Sequence, residues 1–276
     1  MTDADLAAVP STLDERCPAS LPGTIVFDTE RTGHRIFVHV PPGDAPEGGW
    51  PILYMVDGNA VIATAVDAVR VQSCYPSGTN VAPGMVVAIG YPTDGAYDPL
   101  RRSWDLSPPP GQAYPPFHKD GPEVRTGGGE GFLRFIEDDL KPLLESRFPI
   151  DRDRQTLFGH SFGGLFALYA LCRRPRAFRT WVAVSPAISW EDSVIAGIRD
   201  TVTAETWHAF DGRVLLSAGA YESADLAPFQ RGRPDAETRR EHMRKTRTLE
   251  TARDWAAEIN ALAGREDAAS YETFAG

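Results

Sequence analysis

Gln155-Thr156-Leu157-Phe158-Gly159-His160-Ser161-Phe162-Gly163-Gly164-Leu165-Phe166-Ala167-Leu168 is the stretch that decides the fold. A short β-prone run, residues 156–158, enters a glycine-flanked serine, and a mostly apolar helical run, residues 162–171, leaves it. Gly159-His160-Ser161-Phe162-Gly163 fits G-x-S-x-G, the pattern of a serine on a sharp strand-to-helix turn. Bulky neighbours two positions away would collide with the adjoining backbone, so glycines let the turn close and thrust the hydroxyl outward. The following helix aims its positive end at the place where negative charge develops during acyl transfer. In a chain with 25 glycines the five residues alone recur by chance; the strand before and the helix after give them weight. His160 points away from the serine on such a turn and reads as structural.

Outward from this turn, short β-rich runs alternate with helical ones. Residues 24–28 and 35–40 predict a strand pair joined by a polar turn at 31–33. Residues 51–56 and 85–89 are continuous apolar runs, as expected of strands buried on both faces, and a helix is predicted over about 60–71. Residues 92–131, rich in proline and glycine, read as an insertion over one end of the sheet, a candidate lid. Phe132, Leu133, Ile136, Leu140, Leu143 and Leu144 have helical spacing, and Pro142 is expected to kink or split that helix. Strands follow at 181–184 and 214–217, with a helical region between them from about 191. A polar second insertion covers 223–245, a helix 249–262, and a last strand 270–274. Eight strands with intervening helices predict a mainly parallel sheet covered on both faces, an α/β-hydrolase architecture. Residues 1–22 read as an N-terminal arm and 23–276 as the hydrolase domain.

The chemistry needs three further groups. Oxyanion donors on this architecture are the N–H after the nucleophile and one from the loop after the third strand. Here these are Phe162 and Gly58 or Asn59. The acid follows the next-to-last strand, where Glu222 is the first candidate and Asp225 the second. The general base belongs after the last strand, yet no histidine lies beyond His242. His118, in the long loop, and His242, in a charged helical stretch, are poor substitutes. The base is therefore expected on a segment beyond residue 276, together with a covering helix.

Composition bounds the function. The net charge of −10 disfavours nucleic acid, and the basic stretch 239–247, interleaved with Glu241, reads as a solvated helix face. No run approaches about 18 apolar residues, so no membrane partner is expected. The acidic N-terminus lacks a leader pattern, which predicts a cytoplasmic protein. Cys17, Cys74 and Cys172 form no metal pattern, so neither metal nor cofactor is expected.

Several stretches in order resemble one family. Beside residues 155–168 they are Tyr54-Met55-Val56-Asp57-Gly58-Asn59-Ala60, Gly90-Tyr91-Pro92-Thr93, Arg102-Ser103-Trp104-Asp105-Leu106-Ser107-Pro108, Phe132-Leu133-Arg134-Phe135-Ile136-Glu137 and Ser185-Pro186-Ala187-Ile188-Ser189-Trp190. Together they are similar to the siderophore trilactone esterases, the enterobactin and salmochelin hydrolases. The resemblance implies an α/β-hydrolase fold, no metal, and ester hydrolysis by a serine. It also implies that Arg102 sits at the site and binds acidic or catecholate parts of a small-molecule ester; the alternative from the residues alone is a surface ion pair. Trp190 is expected to line the pocket or the core. Family members carry a Gly-Glu-(Asp/Asn)-His segment after the last strand, where this sequence reads Phe274-Ala275-Gly276. The expected activity is thus a serine esterase. An acyltransferase on the same fold, or a hydrolase-like binding protein without a base, are the alternatives.

Overall fold

A computed structural model describes residues 21–275; most of the expected N-terminal arm lies outside the described residues. Eight strands form one sheet: β1 (Thr24–Asp28), β2 (Arg35–His39), β3 (Trp50–Val56), β4 (Met85–Gly90), β7 (Ile150–His160), β8 (Thr180–Val184), β9 (Arg213–Gly219) and β10 (Ala269–Phe274). Between β4 and β7 a separate ribbon pairs β5 (Ala113–Tyr114) with β6 (Val124–Arg125). The sheet order is β1-β2-β4-β3-β7-β8-β9-β10. Pairing is antiparallel from β1 to β4 and parallel from there to β10.

Burial on both faces explains the continuous apolar runs. Along β4, Val87 and Ile89 join Tyr54 and Leu157 in the larger core. The intervening Val86 and Ala88 face the other way, packing with Met55 and with Ile62 and Val66 of helix α1 (Gly58–Ser73). The larger core holds helix α4 (Phe162–Arg173), whose residues 162–172 are all buried. Leu165, Phe166, Leu168 and Leu171 are fully enclosed, each contributing roughly 2 kcal/mol of transfer free energy. Helices therefore lie on both faces, as the sequence predicts.

Three local readings differ from the structure. The strand predicted over 156–158 runs from Ile150 to His160. Its first half, Asp-Arg-Asp-Arg, is polar and largely exposed, so no apolar periodicity marks it. The 92–131 insertion, read as a long loop, contains a helix and a two-stranded ribbon. Asp98 caps helix α2 (Pro99–Asp105), its carboxylate accepting from the Arg101 N–H at 3.0 Å, and Pro99 occupies the first helical position, where its missing N–H costs nothing. Leu106 and Ser107 at the helix end are fully buried. Finally, Pro142 does not break its helix. Helix α3 (Gly129–Arg134) passes through a π-helical turn, Phe135–Leu140, into a last helical segment, Lys141–Glu145. The wider turn immediately before Pro142 leaves room for its ring and absent N–H.

Candidate active site

Ser161 stands between β7 and α4 with φ 56° and ψ −113°, a conformation an L-residue adopts only when its surroundings enforce it. Three hydrogen bonds do so. The Ser161 N–H donates to Val184 O (2.9 Å), and its carbonyl accepts from Leu165 N (3.0 Å) and Ala187 N (3.1 Å). The flanking glycines are required by contact. A Cβ on Gly159 would lie 1.9 Å from Gly163 O, and one on Gly163 would lie 2.6 Å from Val56 Cγ2.

That contact also brings the loop after β3 to the first turn of α4. Asp57 is left-handed (φ 56°, ψ 42°) and begins α1, while Gly58 sits against the β4 backbone. Two helix N-termini, with Phe162 and Gly58–Asn59 in their first turns, flank the serine turn. The Asn59 side chain has a separate job that the sequence does not reveal. Its Nδ2 donates to Tyr91 O (3.0 Å) and Thr93 O (2.9 Å), and its Oδ1 accepts from Tyr91 N (2.8 Å). It ties the start of α1 to the end of β4.

Arg102, on α2, forks onto buried Asp57, with Nε to Oδ1 at 2.9 Å and Nη2 to Oδ2 at 2.8 Å. Its guanidinium also lies over the rings of Tyr97 (5.2 Å) and Phe162 (5.8 Å). The ion pair is thus partly buried, and it braces the loop after β3. Trp190 sets its ring edge-on to Phe162 at 4.7 Å. Its buried indole N–H has no partner among the described residues.

A cavity of about 620 Å³ opens at Ser161 and is lined also by Ser185, Trp190, Glu191, Glu222 and His242. Glu222 follows β9, and its Oε1 accepts from Gly219 N (2.9 Å) and Ser185 Oγ (2.5 Å). The second acid candidate, Asp225, pairs with Arg231 at the surface and does not line the cavity. Another cavity of the same volume, beside Arg173, Arg176 and Phe210, contains neither serine nor histidine.

The histidines divide clearly. His34 is buried against Asp105 (2.9 Å) and stacked on Phe135; His39 is buried beside Thr24. His118, His160 and His208 are exposed. His242, which the sequence ranks as a poor candidate, is exposed on helix α5 (Ala236–Thr246) and lines the Ser161 cavity. The basic stretch is therefore a helix with a solvated face, as expected, and one that also walls the cavity. Ser185 belongs to one of the stretches that carry the family resemblance, but the sequence gives it no role. Its left-handed φ of 45° has no side-chain signature, although Ser185-Pro186 after a strand marks a turn at the sheet's carboxyl edge.

Sheet order and a strained serine at a strand-to-helix turn define an α/β-hydrolase. Residues 29–276 match the model of the Esterase family, described as "Putative esterase". Over 209 residues the chain is 40% identical to the ferri-bacillibactin esterase BesA of Bacillus subtilis strain 168, covering 74% of this chain and 72% of that protein. It is 43% identical over 152 residues to the siderophore triacetylfusarinine C esterase of Aspergillus fumigatus, covering 54% of this chain and 48% of that one. Among solved structures, the BES protein from Bacillus cereus superposes with a TM-score of 0.75 at 29% identity, over 95% of this chain and 90% of that chain. The chain belongs to the Esterase family and is a carboxylic ester hydrolase. No helix among the described residues is long and apolar enough to cross a membrane.

Proposed function

We propose that the chain hydrolyses siderophore esters through a covalent acyl-enzyme on Ser161. One observation carries this reading: the strained Ser161 opens onto the cavity that also holds Glu222. Ser161 Oγ attacks the acyl carbon and yields its proton to a histidine base, and the C=O becomes an oxyanion. The N–H groups of Phe162 and of Gly58 or Asn59 hold that oxyanion at two helix N-termini. The base returns the proton to the leaving alkoxide, and water, activated by the same base, then releases the acid.

Glu222 orients the base. A base carried after β10 suits it, because Phe274 pairs with Gly219 and the Ala220 N–H donates to Phe274 O (2.8 Å). Residues following Phe274 would emerge beside Glu222. A second reading rests on His242, which lines the same cavity. The siderophore class is supported by the relatives named above. Arg102, with Nε and Nη2 on Asp57, retains Nη1 for an acidic or catecholate group of the substrate, and Trp190 offers a flat apolar wall. The exposed free thiol of Cys74 suits a reducing compartment such as the cytoplasm.

The test uses a fluorophosphonate probe, a chromogenic aryl ester and a siderophore trilactone, with products identified by mass spectrometry. Ser161→Ala is expected to abolish labelling and reduce turnover by at least about 10³-fold. H242Q keeps wild-type activity if the base follows β10 and loses it if His242 is the base. Labelling at a serine other than Ser161 would overturn the assignment of the nucleophile. Turnover of the aryl ester without the trilactone would overturn the substrate class alone.

A further inference from the structure

Glu191 lines the Ser161 cavity yet has no part in the acyl transfer described above. It begins a run of three non-glycine residues with left-handed backbone, Glu191 (φ 47°), Asp192 (φ 55°) and Ser193 (φ 63°). Such a run is sterically disfavoured and persists only where tertiary contacts hold it.

The contacts come from the proline- and glycine-rich insertion. Tyr114 Oη, on β5, donates to Glu191 Oε1 at 2.9 Å. Thr126 Oγ1, just after β6, lies 3.2 Å from the same oxygen and 3.0 Å from Gln112 O, so its single proton serves one or the other. Gln112 Nε2 in turn donates to Tyr114 Oη at 2.6 Å. One carboxylate oxygen therefore accepts from Tyr114 and lies within reach of Thr126, at both sides of a ribbon with only two residue pairs of its own. Beside this junction the Tyr114 ring lies 5.4 Å from the Trp190 ring, which meets Phe162 edge-on at 4.7 Å. A line of aromatic contacts runs from the ribbon to the residue following the nucleophile.

We propose that Glu191 is a positioning residue that clamps the β5–β6 ribbon beside the Ser161 cavity, holding Tyr114 against Trp190 so that the Trp190 ring is fixed as the cavity surface that selects esters with a bulky aromatic group. The clamp itself stands on the contacts above; its role in selecting esters rests on Ser161 being the nucleophile. An unclamped ribbon leaves Trp190 without its aromatic neighbour, and an aromatic ester loses a preformed wall while the reacting groups stay in place. The loss falls on binding, and so on KM more than on kcat.

Three variants test this. E191A is expected to raise KM for a bulky aryl ester roughly tenfold, with kcat and KM for a small acetyl ester changed less than about twofold. E191Q retains an acceptor oxygen for Tyr114 and should restore most of the loss. Y114F removes only the donor hydroxyl and should reproduce E191A in part; it guards against misfolding of the alanine variant. Independently of catalysis, hydrogen exchange across residues 112–126 should quicken in E191A, and Trp190 emission, isolated by difference against W190F, should shift. Unchanged exchange and emission in E191A would overturn the clamp. An equal fall in kcat for both esters would overturn the selective role. If wild-type Ser161 is neither labelled nor active, the nucleophile assignment fails, and exchange and emission still decide the clamp.

Discussion

Ser161 keeps a left-handed backbone because the chain around it leaves no alternative. A Cβ on Gly159 would strike Gly163 O and one on Gly163 would strike Val56 Cγ2, so neither tolerates a methyl group, and the first turn of α4 bonds back to the serine carbonyl. G163A puts its Cβ 2.6 Å from Val56 Cγ2. It should destabilise the fold by about 1–3 kcal/mol, the usual cost of overpacking, and slow fluorophosphonate labelling more than that loss explains, because the turn itself must shift. Thermal melting and labelling rates on the same preparation check both; an unshifted melting temperature would show that the turn is more yielding than its contacts imply. Arg102 illustrates how far residue-level reading goes. The ion-pair alternative foresaw that it is paired, and resemblance located it near the site, but only the structure gives its partner as Asp57, the residue that begins α1. Nothing in the spacing of 45 residues between them encodes that meeting.

Elements were legible where one residue pattern maps onto one environment. β3, β4 and α4 are buried on both faces or all round, and their apolar runs announced them. The polar half of β7 and the π-turn before Pro142 were not legible, since a solvated strand end and a widened turn leave no hydrophobic period. β2 carries an element-scale consequence in His39. Burial, with Arg70 nearby, lowers its pKa and keeps the imidazole neutral in the fold. The unfolded chain takes up the proton more readily, near the unperturbed value of about 6.5. The neutral form's contribution is thus complete above that pH and is lost as pH falls through the lower, folded-state value. The unfolding free energy from urea titrations should fall between pH 7.5 and 5 by up to about 1.4 kcal/mol per pH unit from this group, and H39Q should flatten the slope in that window. An unaltered slope in H39Q would remove His39 from the account.

At the scale of the molecule, Cys172 reports on cooperativity. It lies in the large core, and burial pushes its thiol up to about 12, whereas Cys74 is exposed. Alkylation mapped by mass spectrometry should modify Cys74 within minutes, with Cys172 modified at the rate of global unfolding. Equal rates would indicate that α4 opens locally. The sequence by itself determined the class of fold, the serine turn, and the places of Glu222 after β9 and of Gly58–Asn59 after β3. Each of these is set by local sterics, by hydrophobic period or by position in strand order. Only the tertiary structure decided that His242 and Glu191 reach the cavity, that Asp57 pairs with Arg102, and that a ribbon from the insertion rests on Trp190. Those meetings depend on where polar, aperiodic segments fall once the sheet has closed its core, and no local preference of their residues fixes that.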